Sequence, residues 1–288
     1  MLKLRLDASA DDVWHALTDA GELRRWFAED ARVHLPDTYE FWGRYTPDGA
    51  EPHQRLLRAD DHTLRFAWQL DGTDTEVEIS LAPESDKSTI LTLTQTNLPS
   101  FADIIAGANV LGMIYTFWTH ALANLADHVA GRALTGRCDY TTNDMRAEIL
   151  IDANRHAVFE SLANPAIFGE WFGISVEAEP GVGGRWAMGK LGEVPTARIV
   201  RLDDDAAMAL EWPDGMVATW ELADSDGRTK LTYVHSGFDD PNEFYPGWAG
   251  TLAGLAELRR YHELPNWRPM WLAVRLEGAP EQVTALDR

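Results

Sequence analysis

The stretches "ELRRWFAED" (residues 22–30) and "IFGEWFGIS" (residues 167–175) carry one phrase twice, with Trp26-Phe27 in the first and Trp171-Phe172 in the second, 145 positions later. Outward from this phrase the match runs without a gap to the start of each copy. Leu4, Leu6, Asp7 and Ala8 meet Ile149, Ile151, Asp152 and Ala153, and Val13, Trp14 and Leu17 meet Val158, Phe159 and Leu162. The first of these blocks alternates apolar with polar residues, the period of a half-buried strand, and the second spaces its apolar residues as a helix does. Asn164-Pro165 separates that helix from the short one ending in Trp-Phe, because proline disfavours helical backbone in the residue before it.

Beyond the helices the offset drifts by a few residues, as loops of unequal length require. "LRFAW" (64–68) matches "MALEW" (208–212), "EVEISL" (76–81) matches "TWELAD" (219–224), and "LTLTQTNL" (91–98) matches "LTYVHSGF" (231–238). These alternate with period two between turn residues and predict consecutive antiparallel strands. Each copy then closes with a long helix, carrying Trp118, Leu122, Leu125 and Val129 in the first and Trp248, Leu252, Leu255 and Leu258 in the second. Ser100 with Asp103 is an N-cap signal for the first of these helices, and Gly131 a stop. The expected division is a first domain over 1–131, a connector over 132–144, a second domain over 145–266 and an extension over 267–288 packed on the body. In that extension "VRLEGAPEQV" (274–283) faintly echoes "LRLDASADDV" (4–13), which predicts an extra strand and a short helix. The expected fold class is α+β: two tandem helix-grip domains, each a curved antiparallel sheet wrapped around a long C-terminal helix. The space between sheet and helix becomes either an oversized core or a cavity.

The composition narrows the functions. A formal charge of −21 over 288 residues repels a nucleic-acid backbone and an anionic membrane, so neither is an expected partner. One cysteine, Cys138, forbids an internal disulfide and fits a reducing compartment. The N-terminus lacks a signal pattern, and the apolar run over 104–118 is too short to span a bilayer, so a cytoplasmic protein is expected. HExxH, Cys/His clusters and EF-hand loops are absent, so no metal and no other cofactor is expected. "GVGG" (181–184) precedes a strand rather than a helix and reads as a turn, while the acids at 60–61 and 203–205 fall at matching inter-strand turns.

In this order of elements the chain resembles the START-like (SRPBCC) superfamily of helix-grip proteins. Within it, the resemblance is to the branch named for homologues of the activator of the heat-shock ATPase chaperone. The second copy follows the pattern through "VFESLANPAIFGEWF" (158–172), "PGVGGRW" (180–186), "LTYVHSGFDD" (231–240) and "GWAGTLAGL" (247–255). The first keeps the helix pair and "FWTHALANL" (117–125), but "LPDTYEFWG" (35–43) lacks the glycine pair and "TQTNL" (94–98) stands in place of "VHSGF". The resemblance implies hydrophobic-ligand binding as the commonest role. It also brings in polyketide cyclases and aromatases, and proteins that shield a producer from its own reactive natural product. The co-chaperone role is expected to rank below these, because the two copies account for nearly all of this sequence and the resemblance does not extend to the separate chaperone-docking domain of true activators.

Strand alternation then names the inward side chains. If the leucines of 91–98 face in, Gln95 and Asn97 go with them, as Tyr233 and His235 go with Leu231. Leu64, Phe66 and Trp68 share a face, as do Met208, Leu210 and Trp212, and Val77 and Ile79 align with Trp220 and Leu222. Apolar walls with one or two polar groups describe a small-molecule site. The expected ligand is an apolar, aromatic or polycyclic molecule, bound chiefly in the second copy by Trp171, Phe172, Trp212, Trp220, Tyr233, His235 and Trp248. In the first copy Trp26, Phe27, Phe66, Trp68, Gln95, Asn97 and Trp118 line either a second pocket or a filled structural partner, and the two domains are expected to touch each other. No nucleophile stands beside an obvious base. Were the protein an enzyme, His235 and Tyr233 would be its acid–base candidates, but nothing in the spacing demands catalysis.

Overall fold

The computed structural model describes residues 1–60, 62–100, 110–238 and 245–276. The chain divides into two units. Unit 1 holds Met1–Thr141, Tyr245–Ala253 and the chain from Met270, while unit 2 holds Thr142–Phe244 and Gly254–Pro269. The first copy runs β1 (Leu2–Leu6), α1 (Ala10–Thr18), α2 (Ala20–Trp26), β2 (Asp30–His34), β3 (Thr38–Trp42), β4 (Gln54–Asp60), β5 (Thr63–Leu70), β6 (Thr73–Ser85), β7 (Ser88–Gln95) and α3 (Val110–Val129). The second runs β8 (Arg146–Ile151), α4 (Arg155–Ala163), α5 (Pro165–Phe172), β9 (Val176–Ala178), β10 (Arg185–Met188), β11 (Ala197–Asp203), β12 (Ala207–Glu211), β13 (Val217–Ser225), β14 (Arg228–Ser236) and α6 (Tyr245–Glu263). Strand β15 (Trp271–Val274) follows. The sheets have the orders β15-β1-β7-β6-β5-β4 and β8-β14-β13-β12-β11-β10-β9, with β2-β3 as a separate hairpin. The chain is therefore α+β, with two tandem helix-grip copies, each an antiparallel sheet followed by a long helix.

The repeat is visible at the level of single hydrogen bonds. Ser9 and Asn154 cap α1 and α4 through their side chains, and Asp19 and Asn164 cap α2 and α5. Each pair is 145 residues apart. The Trp26 indole N–H donates to the Ala16 carbonyl at 3.0 Å, and the Trp171 indole N–H donates to the Ser161 carbonyl at 2.8 Å. Both acceptors lie among the last carbonyls of a helix, which lack an intrahelical donor. For Ser161 the reason is explicit, since Pro165 four residues on has no N–H to give. The repeated tryptophan thus ties the second short helix back onto the first.

A surface tie also recurs with its chemistry exchanged. His62 in the β4–β5 turn meets Asp11 of α1 at 3.0 Å, and Asp205 in the β11–β12 turn meets His156 of α4 at 2.9 Å. Gly131 has a left-handed φ of 68°, and its N–H bonds the His128 carbonyl at 3.0 Å, so it ends α3 as its position predicts. The Ser100–Asp103 cap signal, and the part of the apolar run over 104–109, lie outside the described residues, as does the short helix expected after residue 276. Strand β15 pairs antiparallel with β1, Leu2 opposite Val274.

One strand pairs two residues away from its expected match. Val77 lies opposite Gln95 and Ile79 opposite Leu93, whereas Ala218 lies opposite His235 and Trp220 opposite Tyr233. Hence Val77 corresponds to Ala218 and Ile79 to Trp220, rather than to Trp220 and Leu222. The β6–β7 hairpin carries an irregularity between Pro83 and Ser85, while β13 and β14 close without one. A slip of two preserves the face, so the inward assignments survive it.

Candidate functional site

In the first copy the side chains between sheet and helix touch one another. Phe27 of the α2 C-cap stacks on Trp118 of α3 with centroids 5.7 Å apart at 13°, and Trp68 of β5 meets Phe117 at 5.6 Å and Trp118 at 5.9 Å. Phe41 joins Phe27, Phe66 and Trp68 edge-on at 4.8, 5.8 and 5.1 Å. The Gln95 amide is used inside this cluster: its oxygen accepts the Trp118 indole N–H at 2.7 Å and its nitrogen donates to Thr75 Oγ1 at 2.9 Å. Behind the cluster, a cavity bordered by Trp26, Phe117, His120, Arg137, Cys138 and Tyr140 measures about 10 Å³, at the lower limit for one water molecule. Desolvation holds His120 there down to about 4 and pushes the Cys138 thiol up to about 12.

Asn97 departs from its expected place. Strand β7 ends at Gln95 and Asn97 takes a left-handed φ of 56°, so the alternation no longer sets its direction. It is exposed, donates to the Asp74 carbonyl at 2.9 Å, and lines an outer-face groove of about 480 Å³ beside His53, Arg55 and Gln69.

In the second copy the inner face of β12, β13 and β14 carries Met208, Leu210, Ala218, Trp220, Leu222, Leu231, Tyr233 and His235, all buried. The Tyr233 hydroxyl hydrogen-bonds His235 Nε2 within one strand, and Trp220 leans on the Tyr233 ring at 4.9 Å. Burial lowers His235 to about 4, so its ring is neutral at physiological pH. The backbone N–H of His235 meets the Met145 carbonyl at 2.9 Å. The charged side chains of the sheet sit on its opposite face, where Arg146 pairs Glu148 at 2.9 Å and Arg201 pairs Glu221 at 3.1 Å.

A further group of rings comes from α5 and β10. Phe168 meets Trp171 at 4.7 Å, Phe172 at 5.2 Å and Trp186 at 5.5 Å, and Trp186 meets Trp212 at 6.3 Å. Trp212 was expected within a strand. Strand β12 stops at Glu211, and the Trp212 backbone instead closes a turn, exchanging hydrogen bonds with Met216 and Gly215 at 2.9 and 3.0 Å. Phe172 rests on the backbone of α6, where a Cβ on Gly254 would come within 2.8 Å of its ring. Trp248, expected with this copy, is buried in the stretch Tyr245–Ala253 that belongs to unit 1. Gly250 in the same stretch faces Thr116 of α3, where a Cβ would stand 3.4 Å from its methyl group, an ordinary packing distance.

Phe168, Trp186 and Ala218 were not among the predicted site residues. The "PGVGGRW" motif held the signal for Trp186, whereas Ala218 emerges only from the true register. Among the described residues, no group of three His, Cys, Asp or Glu side chains is placed to hold a metal ion. No described helix is long and apolar enough to cross a membrane.

Comparison with known proteins gives the family. Its sequence profile, described as activator of Hsp90 ATPase homolog 1-like protein, matches residues 7–130 and again 152–259. No curated protein matches the chain in sequence. Similar solved structures include the Aha1 dimer from Colwellia psychrerythraea, with 16% identity over 44% of this chain and 100% of that one, at a TM-score of 0.38. They include CalU16 from Micromonospora echinospora, with 18% identity over 39% of this chain and 74% of that one, at 0.32. A conserved protein of unknown function, EF2215 from Enterococcus faecalis, has 21% identity over 43% and 74%, at 0.37. The two profile matches cover more than half of the sequence, and the chain belongs to the activator of Hsp90 ATPase homolog 1-like family as two tandem copies.

Proposed function

We propose that the second domain binds an apolar small molecule, aromatic or polycyclic, against the inner face of β12, β13 and β14, and that the first domain is its closed structural partner. The observation that carries this reading is one row of side chains. Across the first sheet the row reads Phe66, Val77, Gln95, and across the second it reads Leu210, Ala218, His235. Two of the three are shorter in the second copy. The same contrast appears beside it, since Phe27 and Trp68 are 5% and 1% exposed while their counterparts Phe172 and Trp212 are half-buried. Apolar walls, flat rings and one convergent polar pair are the ordinary composition of a ligand site.

Binding is favoured over turnover by the state of the polar pair. A general base works best with a pKa near the operating pH, and His235 lies at about 4. Burying about 300 Å² of apolar ligand would contribute roughly 7–8 kcal/mol gross. Association costs of at least about 4 kcal/mol leave weak binding unless the polar pair contributes as well.

The test is a titration of the full chain with Nile red, an uncharged polycyclic dye. The reading predicts a blue-shifted, enhanced emission that is lost in Leu210→Phe/Ala218→Val, which writes the first copy's row into the second. Emission unchanged by that double substitution would overturn it.

A further inference from the structure

We infer that the second-domain wall selects uncharged ring compounds and rejects their carboxylate counterparts, an inference that rests on the binding function proposed above. Its ground is the separation of charge across the sheet. Every residue named on the inner face of β12, β13 and β14 is uncharged in type apart from His235, while Glu221, Lys230 and Glu148 point outward, Lys230 and Glu148 meeting at 3.5 Å. Period-two alternation makes this a property of the whole wall rather than of one position.

The inner polar atoms of these three strands offer dipoles and no net charge, the buried charges of this unit, Glu257, Arg259 and Arg260, being carried by α6. The Tyr233 hydroxyl and His235 Nε2 face each other, and the ring that could have become a cation is held neutral by its burial. A hydroxyl or carbonyl group on a ligand can exchange hydrogen bonds with such a pair, because phenol and imidazole each have both donor and acceptor capacity. A carboxylate loses its hydration against Leu210, Ala218, Trp220 and Leu222 and gains no counter-charge from these strands. The penalty falls on the charged form alone, so two ligands of one ring size and different charge are separated by the wall.

The experiment is isothermal titration calorimetry of the full chain at pH 7.5 with 2-naphthol and 2-naphthoate, which share a ring system and differ in charge. The inference predicts that naphthol binds at least tenfold more tightly and that Leu210→Phe/Ala218→Val abolishes its heat. Naphthoate binding as tightly or more tightly, with both heats lost in the double variant, would overturn the charge selection while leaving the binding site standing. Absence of heat from both ligands, or heats that the double variant leaves unchanged, would overturn the site and the selection together. Circular dichroism of the double variant separates a filled pocket from an unfolded domain. If that variant is unfolded, Ala218→Leu alone takes its place.

Discussion

Replacing Trp171 by Phe tests the reason the Trp-Phe phrase is written twice. The substitution keeps an aromatic ring but removes the indole N–H that meets the Ser161 carbonyl at 2.8 Å. That carbonyl has no replacement from its own helix, because the residue four positions on is Pro165. Leaving a buried acceptor unmet costs about 1–3 kcal/mol. Trp171 is 4% exposed, so the missing part of its bicyclic ring leaves a small cavity worth about 1–2 kcal/mol more. The sum is about 2–5 kcal/mol, a large fraction of a domain's stability. Trp26→Phe removes the matching bond to Ala16, at 3.0 Å and 1% exposure, and should cost a similar amount. Urea unfolding followed by far-ultraviolet circular dichroism reads both, avoiding the fluorescence of the residues replaced. A loss below about 0.5 kcal/mol in both variants, within the usual range of a surface substitution, would refute the idea that these tryptophans are ties.

Gln95→Leu strands the Trp118 indole N–H within the aromatic cluster and should cost about 1–3 kcal/mol in the same assay; an unchanged midpoint would contradict the geometry. His120 and His235, both at about 4 against an ordinary 6.5, bind fewer protons folded than unfolded. Their contribution is therefore present above pH 6.5 and lost as pH falls toward 4, by up to about 3 kcal/mol each, and stability measured over that window should fall with proton uptake on unfolding. His156 behaves in the opposite sense: its hydrogen bond and attraction to Asp205 raise its pKa, so that tie holds at low pH and is lost as pH rises through the raised value. A proton NMR titration should find His156 above 6.5, and Asp205→Asn should return it to the ordinary value.

The fold was legible because the repeat supplies each copy with a check on the other. Alternation in "LTLTQTNL" and "LTYVHSGF" set the correct face for Leu91, Leu93, Gln95, Leu231, Tyr233 and His235, since period two survives any even slip. Register itself was not legible: matching "EVEISL" to "TWELAD" aligned Val77 with Trp220 instead of Ala218, because alternation fixes the face and leaves a slip of two residues unmarked. The strand ends were missed for a related reason. Asn97 and Trp212 lie one or two residues past β7 and β12, where backbone turns override side-chain pattern. The packing of the first copy's rings depends on contacts between residues far apart in sequence, such as Phe27 on Trp118 and Trp68 on Phe117, and no local pattern reports those. Alternation puts Tyr233 and His235 on one face, but the bond between them required the strand geometry.

The central claim is that the second domain holds a small apolar molecule. Native mass spectrometry of the full chain, purified gently from its own host and compared with the denatured mass, tests this most directly. The account predicts an added mass, one molecule per chain, that leaves on denaturation and is absent from Leu210→Phe/Ala218→Val. A chain that carries no added mass at any loading of apolar ligand, or one whose added mass survives the double substitution, would contradict it.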